Sequence, residues 1–195
     1  MTIYNGMFWG PTDPPQFIAG LQQAVNTLPL PREGIYAADN LFTYNRNLSF
    51  LEDSALMSAF NEQATTIEEK AFLWRTSVIL WGVRHGLKLQ GDFVECGCYK
   101  GTTVRIVCDT VRFATHGERR YWLYDLFEHD ADMPHHAMPE HGENLHAQTQ
   151  ARFSDYSNVT VIRGRIPDVL EHSAPKEIVF TSVGVNNAAA EVAVL

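Results

Sequence analysis

The stretch GDFVECGCYKGTTVRI, residues 91–106, sets a short apolar run, a carboxylate at Glu95, thiols at Cys96 and Cys98 and glycines at 97 and 101 close together in the chain. Cysteine chemistry, a metal and a nucleotide-like ligand are the three chemistries such a segment can serve, and its surroundings narrow them. From residue 92 onward, short apolar runs alternate with helical stretches. Strands are expected at FVEC (93–96), YWLY (121–124), VTVI (159–162) and IVFTSV (178–183), with helices near 102–115, 143–154 and from 187 to the end. This alternation predicts a parallel sheet covered on both faces, a doubly wound α/β fold, because parallel strands need crossover helices between them. Ligands in that architecture bind at the carboxyl ends of the strands, which is where residues 95–101 fall.

Upstream the pattern is helical. Thr66-Ile67-Glu68-Glu69 has the form of a capping box, so a helix is expected to start there. Ile67, Ala71, Trp74, Val78 and Trp81 recur at alternating spacings of four and three, one continuous apolar stripe that Gly86 should end. PPQFIAGLQQAVNTL and FLEDSALMSAF read as shorter helices, separated by a Pro-, Gly- and Asn-rich loop around residues 29–48. The division expected is a helical lead-in or lid over 1–88 and a ligand-binding α/β domain over 89–195, together one structural domain. No internal repeat points to a solenoid.

Composition bounds the function. A formal net charge of −8, with fifteen scattered basic residues, argues against a nucleic-acid binder, which needs clustered Lys and Arg. No apolar window is long enough for a membrane span, and MTIYNGMFWGPTDPP lacks the basic-then-apolar order of a secretion signal, so a cytoplasmic protein is expected. Cys96, Cys98 and Cys108 are an odd number and lack C-x-x-C spacing; buried packing thiols are expected, not a disulfide framework or a zinc site.

At the turn itself, Gly97 permits a tight bend and close approach of backbone to a ligand, and Gly101 lets the next helix begin near the sheet. Thr102 and Thr103 can offer hydroxyls or cap that helix. A carboxylate at the strand end serves a pyrophosphate poorly but suits an amine, such as the amino group of an amino-acid moiety. An ordinary strand-to-helix turn is the alternative. Asp125 closes the next strand, thirty residues after Glu95, where an acid can accept ribose hydroxyls or simply cap a turn. Phe127 could lie against a flat base.

In combination, GDFVECGCYKG, LYDLFE and VTVIRGRIPDVL resemble the macrocin O-methyltransferase family, a branch of the class I S-adenosylmethionine-dependent methyltransferases, over roughly residues 64–195. The resemblance implies a Rossmann-like methyltransferase sheet in which the fourth strand lies beside the first. It implies that Glu95, Gly97, Gly101 and Asp125, with Tyr99, Thr102, Thr103 and Phe127 around them, hold S-adenosylmethionine, and that Gly164 lies near the adenine. Family members methylate hydroxyls, including those of natural-product sugars, and use a divalent cation such as magnesium.

Two departures follow. In the family an aspartate at the end of the fourth strand ligates the cation; Gly184 stands there in IVFTSVGVNNAAAEVAVL, and a glycine side chain cannot bind a metal. No metal ligand is therefore assigned. The family also has further carboxyl-terminal strands, which this sequence lacks, so either a fragment or a degenerate relative is expected, with an uncovered sheet edge that favours self-association. The segment EHDADMPHHAMPEHGENLH, residues 128–146, is the densest ligand set, holding His129, Asp130, Asp132, His135, His136, His141, Glu143 and His146. It is a solvated acidic loop, a metal site, or a lid whose His135, His136 or His141 supplies a base. Two functions stay open: an O-methyltransferase acting on a small hydroxyl substrate, and a catalytically silent donor-binding or interaction protein.

Overall fold

Asp39 and Asn40 both adopt left-handed backbone, φ +51° and +59°, and close a two-residue hairpin inside the segment expected to be a loop. The computed structural model describes residues 3–4, 7–31, 34–129, 133 and 138–194. The chain divides into two compact units, Met1–Val78 and Ile79–Leu195, and the boundary falls within one helix.

The first unit contains β1 (Ile3–Tyr4), α1 (Pro14–Asn26), β2 (Ile35–Ala38), β3 (Leu41–Tyr44), α2 (Ser54–Gln63), α3 (Ile67–Ala71) and the start of α4 (Leu73–Gly86). The lead-in is therefore not wholly helical: β1 pairs parallel with β2, and β2 pairs antiparallel with β3. Asp and Asn at the two left-handed positions supply what a tight hairpin turn requires, without the glycine that usually signals it. The side chain of Asn40 fixes the turn further, accepting from the Trp9 amide at 2.6 Å and donating to the Trp9 carbonyl at 3.0 Å.

The capping box forms as expected. Thr66 Oγ1 accepts the Glu69 amide at 3.2 Å, and Glu69 Oε2 accepts the amides of Thr65 and Thr66, which is how a glutamate comes to be buried. The expected continuous helix is nonetheless interrupted at Phe72. The Tyr36 hydroxyl takes the Trp74 amide at 3.1 Å and faces the Ala71 carbonyl at 3.4 Å, so a side chain from β2 replaces backbone bonds at the break. The stripe is corrected too. Ala71 is buried, but Ile67, Trp74, Val78 and Trp81 are exposed, while Leu73, Thr76, Leu80 and Val83 form the buried side.

The second unit holds β4 (Asp92–Cys96), α5 (Thr102–Val111), β5 (Tyr121–Asp125), α6 (Leu145–Arg152), β6 (Val159–Arg163), α7 (Leu170–Ser173), β7 (Ile178–Val183) and α8 (Ala188–Val194). All four expected strands are present. They form one parallel sheet in the order β6-β5-β4-β7, so the fourth strand of this unit does lie beside its first. In β4, Phe93, Val94, Glu95 and Cys96 are all buried, as a central parallel strand requires.

Alternate residues build two cores. Phe93, Phe113 and Tyr121 pack edge-on and tilted on one face, with centroids 5.5–5.7 Å apart. There Gly82 and Gly86 of α4 face the Phe180 and Phe93 rings so closely that a Cβ would lie 2.3 and 2.8 Å from them. On the other face Val94, Cys96 and Tyr124 pack with Trp122, Ile162, Leu170, Val183 and Val194, drawing in α7 and α8. No helix among the described residues is long and apolar enough to cross a membrane.

Candidate functional site

The chain runs β4 to β5 to β6 toward one edge and then returns to place β7 on the opposite side of β4. The strand order thus reverses between β4 and β7, and the crevice at their carboxyl ends is where a parallel sheet of this kind offers a ligand site. Gly97 and Gly184 line that position. Gly97 has φ +88°, and a Cβ on it would lie 2.5 Å from the Gly184 carbonyl oxygen; the Gly184 amide in turn donates to the Cys96 carbonyl at 2.8 Å. Gly97 is therefore required by backbone meeting backbone. Gly184 differs: a Cβ there meets nothing within 4 Å.

Glu95 is held in β4 with its register partners Leu123 and Ser182, and only 8 % of it is exposed. Burial, and then the Glu95 charge, pushes the Cys96 thiol up to about 11. Cys98 and Cys108 are pushed well above the usual thiol range, first by burial, and for Cys98 next by Asp125. All three cysteines are buried free thiols.

The turn after β4 is fastened from β5. The amides of Gly97 and Cys98 both donate to the Tyr124 carbonyl, at 2.8 and 3.3 Å. Asp125 Oδ2 accepts the Tyr99 amide at 2.6 Å and Oδ1 accepts the Phe127 amide at 2.7 Å, so one carboxylate ties the turn to its own strand end. Tyr99 and Phe127 are both left-handed, φ +49° and +62°, conformations that these bonds help hold. Gly101 is the N-cap of α5, with φ +71° and the Phe153 ring 2.7 Å from where a Cβ would be. Thr102 and Thr103 begin the helix and do not cap it.

Other expected residues sit farther from open space or play structural parts. Phe127 is fully buried, its ring 4.9 Å from that of His146. The Gly164 amide donates to the Asp125 carbonyl at 3.0 Å, and a Cβ on Gly164 would collide with Val169.

From the His-rich segment, His135 and His136, with Asp130 and Asp132, lie outside the described residues. His141 stands edge-on to the Tyr99 ring, centroids 5.4 Å apart, and its Nδ1 accepts the Met138 amide at 3.2 Å. Glu140, which the sequence did not single out, reaches the turn directly. The Tyr99 hydroxyl donates to its Oε2, and Lys100 Nζ lies 2.9 Å from its Oε1. The Tyr99 hydroxyl, and then Lys100, hold the Glu140 carboxyl below the usual carboxylate range. No periodicity signals a partner forty positions away.

Among the described residues no three His, Cys, Asp or Glu side chains gather as a metal site. At the end of β7, Gly184 brings no side-chain oxygen to a magnesium ion, which wants several. No protein-family model and no curated protein matches the chain.

Proposed function

We propose that this chain is an S-adenosylmethionine-dependent O-methyltransferase of the macrocin O-methyltransferase type, acting on a hydroxyl of a small molecule or natural-product sugar. The observation that carries the reading is the pair Glu95 and Asp125, carboxylates at the carboxyl ends of adjacent parallel strands, with the Gly97 turn beside them at the point where strand order reverses. The same order supports a Rossmann-like sheet. Bound, the sulfonium donor would supply an electrophilic methyl group to an acceptor oxygen in line with it. Glu95 suits the donor's amino group, since a buried carboxylate attracts a cation more strongly than a solvated one. Asp125 already accepts two amides, but each carboxylate oxygen keeps a second lone pair that can accept a ribose hydroxyl.

A second reading is a donor-binding protein without methyl transfer. Gly184, which leaves the end of β7 without a carboxylate, favours it. Calorimetric titration with S-adenosylhomocysteine tests the binding shared by both readings; no heat with folded protein at millimolar ligand would sink them together. Transfer of a labelled methyl group to a panel of hydroxyl acceptors separates them.

A further inference from the structure

The inner side of β7 pairs with β4, and among the described residues no strand pairs with its outer side. The strand carries little of what guards such an edge. IVFTSV has no charge and no proline, none of its residues is buried, and Ile178 is 48 % exposed. The opposite edge differs, since β6 ends in Arg163, which pairs with Glu128. Helices on the two faces of the sheet leave apolar side chains in solvent beside β7. On one face α4, whose Gly82 meets the Phe180 ring, exposes Trp81; on the other α8, whose Val194 joins the same core as Val183, exposes Val192.

The backbone sets which partner fits that edge. The Gly184 amide donates inward to the Cys96 carbonyl, so by the two-residue period of a strand the amides and carbonyls of Thr181 and Val183 point outward. Nearer the start of β7 the pairing slips, with Asp92 facing Ile178 but Phe93 facing Phe180, so Val179 is an extra, bulged residue and the regular edge runs over 180–183. We infer that this edge pairs antiparallel with the same edge of a second copy of the chain, Thr181 of each opposite Val183 of the other, with the two Ser182 residues facing across a two-fold axis. In that register both outward residues exchange bonds reciprocally, so the edge is its own complement. Charge selects the same direction. Antiparallel pairing carries Lys176 and Glu177 of each copy past the regular edge of the other, whereas parallel pairing in register sets lysine against lysine and glutamate against glutamate. Both β7 edges are used up in the contact, which therefore closes at two copies. The inference is independent of the donor-binding reading.

Sedimentation equilibrium of the full chain over about 1–100 μM, the range a strand-sized interface calls for, is expected to show a monomer–dimer equilibrium. Thr181→Pro removes an outward amide and no bond to β4, so it should melt cooperatively yet weaken the dimer at least about tenfold. Ser182→Cys sets two thiols across the axis, where closely opposed antiparallel residues have Cα atoms about 4.5 Å apart, within the span of a disulfide. Mild oxidation should therefore give a covalent dimer of Ser182→Cys, far less of Thr181→Cys, and none of the unmodified chain. A chain that stays monomeric throughout leaves the edge to some other strand and overturns the pairing. So does association that Thr181→Pro leaves unchanged, growth beyond two copies, or cross-linking through Thr181→Cys in preference to Ser182→Cys. Should Thr181→Pro fail to fold, the two cysteine variants decide alone.

Discussion

Asp125 Oδ2 accepts the Tyr99 amide at 2.6 Å, so the carboxylate that ends β5 fastens the turn that follows β4. Removing it leaves that amide and the Phe127 amide without their acceptor. Asp125→Ala is expected to cost about 1–3 kcal/mol of stability, and to weaken S-adenosylhomocysteine binding by a similar amount, from lost charge-assisted hydrogen bonds. Denaturant melts and calorimetry read the two effects separately; Asp125→Asn, which keeps one acceptor oxygen, should fall between.

Gly97 and Gly184 face each other but should respond oppositely to substitution. Gly97→Ala puts a Cβ 2.5 Å from a backbone carbonyl at φ +88°, so destabilisation above about 2 kcal/mol is expected. Gly184→Ala adds an atom with nothing within 4 Å, and its effect should stay within about 0.5 kcal/mol. Gly184→Asp should therefore fold with an unchanged melting temperature. Thermal melts of the three variants check this ordering.

Cys96, Cys98 and Cys108 should resist alkylation in the native protein at pH 8. The Cys96 thiol, pushed to about 11 by burial and then by Glu95, holds little thiolate there, and all three sulfurs are enclosed. Mass spectrometry after brief iodoacetamide treatment is expected to show no adduct on folded chain and three after denaturation. Fast labelling of any native thiol would contradict the packing described.

Tyr36→Phe removes the hydroxyl that bridges the break between α3 and α4. The Trp74 amide and the Ala71 carbonyl lose their partner, a cost of about 1–3 kcal/mol for buried groups. A urea melt gives the magnitude, and faster hydrogen exchange at the Trp74 amide locates it.

Arg105 joins α5 to the segment after α6, pairing with Asp155 at 2.6 Å and Asp109 at 3.1 Å. The Arg105 guanidinium holds the Asp155 carboxyl below its ordinary value. A carboxylate depressed on folding contributes stability above its unfolded pKa, and that contribution is lost as pH falls through the folded one. The unmodified chain should therefore lose more stability than Arg105→Met between neutral pH and pH 3. Urea midpoints across that range test it, with a small difference expected because Asp155 is largely exposed.

The features legible in the chain alone are local or periodic. IVFTSV reads as a strand because apolar β-formers run between turn residues, and β7 spans those same six residues. Thr66 and Glu69 are three positions apart, so their mutual capping needs no distant partner. The β-α alternation likewise specified parallel strands, with Glu95 and Asp125 at strand ends. Tertiary structure decided the rest. Periodicity places Trp74, Val78 and Trp81 on one face of a helix, but only packing selects which face is covered, and here Leu80 and Thr76 are inside. The hairpin at Asp39 and Asn40 depends on bonds to Trp9, and the helix break at Phe72 on a hydroxyl from β2. Glu140 meets Tyr99 and Lys100 only because folding brings a loop forty residues downstream onto the turn. Sequence spacing carries contacts within a turn or along a strand; contacts closed across long loops are set by which distant surfaces bury each other.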